Sequence, residues 1–245
     1  MKLLYIGIIR NSSEPAVELI AEKELSAFSR FTRARSVLPA PAFLFFCDPL
    51  SRALALYVPY ASPPTLNTYP IPTAWLNNTN AITYGEFMTL FAQKVAERTK
   101  PGQRQDIEEQ DSTFHVYSRS EGIAGVIISD HDYPALAAHQ ILSKVVDEFL
   151  SDHPKTTWAT GSPALSMPQL KEYLAKYQNP EEADSIMKIQ KELDETKIVL
   201  HKTIESVLQR GEKIDDLVAK SDGLSAQSKM FYGQAKKQNS CCVVM

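Results

Sequence analysis

The chain has 245 residues, with 26 Lys and Arg against 29 Asp and Glu and a net charge of −3. That length suits one large domain or a compact domain with an extended element, and the charge balance offers no basic field for nucleic acid. Apolar residues make up 44%, there are only 9 glycines but 15 prolines, and no run of 18 apolar residues marks a membrane span. Neither GxGxxG nor GxxxxGK[ST] occurs, so no phosphate-cradling loop, and no cofactor, is expected. Three cysteines exclude a disulfide framework. The first nine residues begin like a signal peptide, but Arg10 ends the apolar run and no cleavage site follows, so synthesis in the cytosol is expected.

Residues 2–10 are β-rich and read as a first strand, 14–19 as loop or turn, and 26–33 as a second strand. From 37 to 83 the composition changes: the stretch carries two charged residues, Asp48 and Arg52, and eight of the 15 prolines. It is too rich in proline for a helix or central strand and too apolar for a solvated linker. Residues 86–99 place Phe87, Met88, Leu90, Phe91 and Val95 on a helical stripe, stopped by Pro101 and Gly102. Residues 114–118 and 123–129 read as strands around a Ser120-Glu121-Gly122 turn. A helix over 133–152, a loop over 156–167 and a short helix over 168–177 follow, giving an α+β domain over 1–177.

The C-terminal third carries a different signal. Asn179, Pro180, Glu181 and Glu182 form a helix start, with a capping Asn, Pro at the first helical position and acids in the first turn. Alternating steps of three and four then select Ile186, Ile189, Leu193, Thr196, Leu200, Thr203, Val207, Arg210, Ile214, Leu217, Ser221, Leu224, Ser228, Phe231, Ala235 and Gln238. Ten of the sixteen are apolar and four are small hydroxyls. This is an a/d seam over 181–238 that as one helix would span roughly 80 Å. A homodimeric coiled coil is the commonest use of such a seam. The small residues would leave holes in a two-stranded core, however, and suit a wider bundle. Gly211, Gly223 and Gly233 each weaken an isolated helix by about 1 kcal/mol. Arg210 puts a permanent charge in mid-seam, where it requires acceptors from partner helices in the same layer.

The run from Glu192 to Lys197 and the run from Val207 to Ile214 closely resemble an R-SNARE motif of the synaptobrevin class. The preceding region is similar to a longin domain, a profilin-like five-stranded antiparallel sheet between helices. The ending Lys236-Lys237-Gln238-Asn239-Ser240-Cys241-Cys242-Val243-Val244-Met245 departs from the membrane-spanning members. It resembles the prenylated longin R-SNAREs instead. The resemblance implies a parallel bundle with three Gln-SNARE helices, Arg210 facing three Gln in the central layer, and a role in vesicle docking and fusion. It also implies that the longin domain folds back on the motif through a groove that includes Phe87, Leu90 and Phe91; ordinary core packing against the sheet is the other reading of those three.

Cys242-Val243-Val244-Met245 is a C-a-a-X box, and terminal Met favours farnesyl on Cys242. One isoprenoid holds a membrane only marginally, so a second signal is expected. Cys241 is the available site, and the resemblance points to palmitate or a second prenyl group there. Prenyltransferase and palmitoylation machinery are thus expected partners, and residues 239–245 form a lipidated tail. The lipids would cycle the protein between a cytoplasmic pool and the cytoplasmic faces of Golgi, ER-derived vesicle, endosome and vacuole membranes. Two alternatives remain at this level. A farnesylated coiled-coil adaptor outside fusion would keep the tail but has no need of Arg210. An enzyme finds no support, because no catalytic or metal-binding spacing links His115, His131, His139, His153 and His201, and no small-molecule substrate is expected. The segment 37–83 matches nothing in the family pattern. Without it Ser36 would join Tyr84 close to that pattern, and a surface-loop insertion, a functional elaboration and a retained intron all account for it, the intron being favoured.

Overall fold

The computed structural model describes residues 2–25, 73–161, 163, 165–178, 198–209 and 211–240, without the side chains of 73–82 and 238–240. Five strands form an antiparallel sheet: β1 (Leu3–Arg10), β2 (Val17–Lys23), β3 (Arg104–Glu109), β4 (Ser112–Ser118) and β5 (Ile123–Asp130), in the order β2-β1-β5-β4-β3. A sixth strand, β6 (Ile198–His201), adds parallel to β3, so that Arg104 faces Ile198 and Asp106 faces Leu200. Helix α1 (Thr73–Arg98) covers one face of the sheet. Helices α2 (Ala135–Asp152), α3 (Lys155–Trp158) and α4 (Gln169–Lys176) lie toward the other.

Both faces are dry. Every residue of β1 is buried, as a central strand between two helical layers requires. On the α2 side, Ile6, Ile8 and Ile127 meet Ile141, Leu142, Val145 and Phe149. On the α1 side, Met88, Ala92, Val95 and Ala96 recur at helical spacing and meet Ile107, Phe114, Val116 and Val126. Gly125 lets α2 approach β5 closely, because a Cβ there would fall 2.8 Å from Val146 and 3.0 Å from Leu142.

The α+β sheet between helices is thus as expected, but β6 makes it six-stranded and mixed where five antiparallel strands were expected, and individual elements differ too. Residues 14–19 are not all loop, since β2 begins at Val17 and pairs with β1. The expected strand 26–33 lies outside the described residues. The helix expected from residue 86 starts at Thr73, inside the proline-rich segment but beyond its last proline, Pro72. Strand β3 was not anticipated: its sequence RQDIEE looks solvated, yet Arg104, Gln105 and Asp106 are buried. The Arg104 guanidinium stacks 3.7 Å from the Tyr117 ring centroid and donates to His139 O and Ser143 Oγ, so its charge is not stranded.

Candidate functional site

The seam is not one continuous helix here. After β6 the chain makes a 3₁₀ turn (Ile204–Ser206), then α5 (Ile214–Lys220) and α6 (Ala226–Ser240). The physical reason is solvation. A lone helix would leave its apolar stripe in water, whereas a broken one lays successive pieces onto the longin-like sheet and α1. The breaks fall where the sequence permits them. Gly211 takes φ +91° in the turn before α5, and Ser221 leaves α5 in an extended conformation.

The surface of α1 turned from the sheet receives these pieces. Leu90 forms a buried cluster with Val218 and Leu224, packed by Phe87, Ile214 and Tyr232. Phe87 stacks on Phe91 at 6.2 Å and meets Tyr232 at 6.0 Å, while Tyr84 meets Phe231 edge-on at 6.1 Å. Phe91, with Val207 and Leu208, flanks the sheet-side core, into which Ile204 is fully inserted. Polar contacts fix the register. The Glu86 carboxylate accepts from Ser225 N (2.9 Å), Ser225 Oγ (2.9 Å) and Ser228 Oγ (2.6 Å), capping the start of α6 from outside the helix. Burial alone would raise the Glu86 pKa, but the hydrogen bonds from Ser228 and Ser225 outweigh it and hold it low. Asp215 of α5 accepts from Tyr232 Oη at 2.8 Å and pairs with Lys236, tying α5 to α6. Ile204 N donates to Glu109 Oε2 at 3.0 Å.

The seam positions fare unequally. Leu217, Leu224 and Ser228 are buried; Val207, Ile214, Ser221, Phe231 and Ala235 are half-buried; Thr203 is exposed and Leu200 is 61% exposed. Ile204, Val218 and Tyr232, off the seam, help fill the groove, so the docked stripe is rotated from the a/d stripe. Ile186, Ile189, Leu193, Thr196, Arg210, Cys241 and Cys242 lie outside the described residues, as does the Gln238 side chain.

A second constellation was not seen in the sequence. Asp106 Oδ1 accepts from His115 Nδ1 and His139 Nε2, each at 2.7 Å, all three residues being buried. They come from β3, β4 and α2, so no local spacing announces them. Burial opposes the Asp106 charge, but the hydrogen bonds from His115 and His139 prevail and hold that carboxyl well below the usual carboxylate range. Burial pushes His139 down.

A sheet between helical layers with a heptad seam folded against it defines a longin-domain SNARE. A longin family model, described as a regulated-SNARE-like domain, matches residues 76–174, and a synaptobrevin model matches residues 185–243. "Synaptobrevin homolog YKT6" of Saccharomyces cerevisiae is 46% identical over 248 residues, with all of both chains covered. "Synaptobrevin homolog ykt6" of Schizosaccharomyces pombe is 61% identical over 160 residues, 65% of this chain and 81% of that one. The Candida glabrata protein of the same name is 46% identical over 253 residues. The chain belongs to the YKT6 family of synaptobrevin homologues and is an R-SNARE of vesicle trafficking. Its synaptobrevin segment implies partners within a SNARE complex. Among the described residues no helix is long and apolar enough to cross a membrane.

Proposed function

We propose that the docked arrangement is the storage form of this R-SNARE, and that its working form is a parallel four-helix bundle with three Gln-SNARE helices. In that bundle Arg210 donates to three Gln acceptors in the central layer, with the sixteen seam positions as layers. Cys242 carries farnesyl and Cys241 palmitate or a second prenyl group, added by prenyltransferase and palmitoylation machinery. The protein then cycles between a cytoplasmic pool and Golgi, ER-derived vesicle, endosome and vacuole membranes. The action is mechanical, not catalytic: zippering from Ile186 toward Gln238 draws the anchored end toward the partner membrane.

The observation that carries this reading is the double use of the seam. Leu224 and Ser228 are buried against α1 in the free chain, with Ile214 packed on the same cluster, and the same positions are needed by a bundle, so the two states compete for one surface. A coiled-coil adaptor outside fusion gives Arg210 nothing to bond. The experiment is reconstitution of lipidated protein with Gln-SNARE trios in liposomes. Lipid mixing that depends on the trio and falls with Arg210→Ala is expected; binding, disassembly and mixing all unchanged by Arg210→Ala would remove the central-layer role.

We read residues 37–83 as translated intron. An alignment of 160 residues covering 81% of the fission-yeast relative puts that protein near 200 residues, about as long as this chain without the segment. A transcript lacking codons 37–83 is the expected finding; abundant peptides from residues 57–80 would overturn it.

A further inference from the structure

We propose that Asp106, His115 and His139 form a site for a divalent transition-metal ion of the zinc class. The three donor atoms lie within 4.8 Å of one another, the only such buried group of three among the described residues. Two imidazole nitrogens converge on one carboxylate oxygen, and the rings stand edge-on at 5.6 Å and 81°, so both nitrogen lone pairs can be turned to one point. Three protein ligands of the type N, N, O with a further position open is a common arrangement for zinc, and imidazole disfavours magnesium and calcium. An ion would replace the two hydrogen bonds now meeting at Asp106 Oδ1, each nitrogen moving from the oxygen by roughly 0.6 Å to reach tetrahedral ligand spacing.

The protons have somewhere to go. Each imidazole keeps one proton and moves it to its other ring nitrogen, leaving the metal-facing nitrogen free. For His115 that nitrogen lies 3.0 Å from Ser129 Oγ, which can accept it. The bond to Asp106 sets the present tautomer of His139, and its other nitrogen is buried without a hydrogen-bond partner, so the proton moved there has no acceptor and the ion must offset that cost. Access comes from a cleft of about 530 Å³ lined by Asp106, Glu108, His115 and His131, with Ile198 and Leu200 as its outer wall. Glu108 is exposed on the same strand and can serve, with water, at the open position. Arg104 is the positive group on this face, and its guanidinium is held by the Tyr117 ring, His139 O and Ser143 Oγ.

The outer wall belongs to β6, and Leu200 is in register with Asp106. Metal binding and docking of the seam therefore share a boundary, and linkage requires that an ion bound better in the docked form also favours that form.

The test is calorimetric titration of Zn²⁺ into full-length chain stripped with chelator, with Cys47, Cys241 and Cys242 replaced by serine so that thiols do not compete. Co²⁺ serves as the spectroscopic probe. One Zn²⁺ per chain is expected, with visible Co²⁺ bands of a low-coordinate site and slowed amide exchange in residues 198–201. Losing an outer-shell partner costs about 10–100-fold in affinity, so Asp106→Asn and His139→Gln should each weaken binding at least that much. Circular dichroism checks folding, and the isosteric Asp106→Asn carries the test if His139→Gln does not fold. No stoichiometric uptake by the folded chain, or uptake that Asp106→Asn leaves unchanged, would overturn the site.

Discussion

Glu86→Ala removes the acceptor that receives three hydrogen bonds at the start of α6. A bond to a charged group contributes about 1.5–3 kcal/mol when buried, but Glu86 is only half-buried, and loss of a helix cap costs roughly 0.5–2 kcal/mol. Water replaces part of what is lost, so the net weakening of docking is about 1–2 kcal/mol, a factor of roughly 5–30 in the docked-to-released ratio. Hydrogen exchange reads this directly: amides of residues 226–236 should exchange about 5–30 times faster in the variant, while those of 123–130 keep their rates. Because the docked Glu86 pKa is lowered, its contribution is complete above the ordinary value of 4.5 and is lost as pH falls through the lower docked value. Exchange in 226–236 within twofold of the parent would refute the reasoning, since the cap would then contribute nothing to docking.

Leu90→Ala empties the centre of the cluster with Val218 and Leu224; at about 2–3 kcal/mol it should free the seam and raise the rate of Gln-SNARE binding at least tenfold, and a cycle with Val218→Ala should be non-additive. Cys242→Ser should leave the protein entirely in the soluble fraction after cell fractionation, whereas Cys241→Ser should leave weak, rapidly reversible membrane association, as a single isoprenoid provides.

The longin-like domain and the seam were legible because both rest on periodicity. The stripes of 86–99 and 133–152 and the alternate steps of 186–238 follow from burying apolar surface, and that is readable one residue at a time. Strand β3 was hidden because its charges are satisfied by tertiary partners: Arg104 by Tyr117, and Asp106 by two histidines from other elements. The break-up of the seam was hidden for a different reason. In the proposed function its sequence serves two folds: the 3.5-residue period suits the bundle, while the groove uses Ile204, Val218 and Tyr232 from off that stripe. The family resemblance implied that the motif folds back, but only the glycines hinted at where it would break, and Gly211 indeed turns the chain with positive φ. Phe87, Leu90 and Phe91 could be named from sequence as an apolar stripe, but which surface each would touch depends on elements more than 100 residues away.

Whether the seam must leave the longin domain to work is decided by locking it in place. Phe87 and Tyr232, whose rings lie 6.0 Å apart, can be replaced as Phe87→Cys and Tyr232→Cys in a chain whose own three cysteines are serine, and joined by a short reducible thiol crosslinker. Binding to a Gln-SNARE trio is then measured before and after reduction. The crosslinked chain should fail to enter the complex and the reduced chain should enter it fully. Equal binding in both would contradict the account, because the bundle would then form with α6 still held on α1.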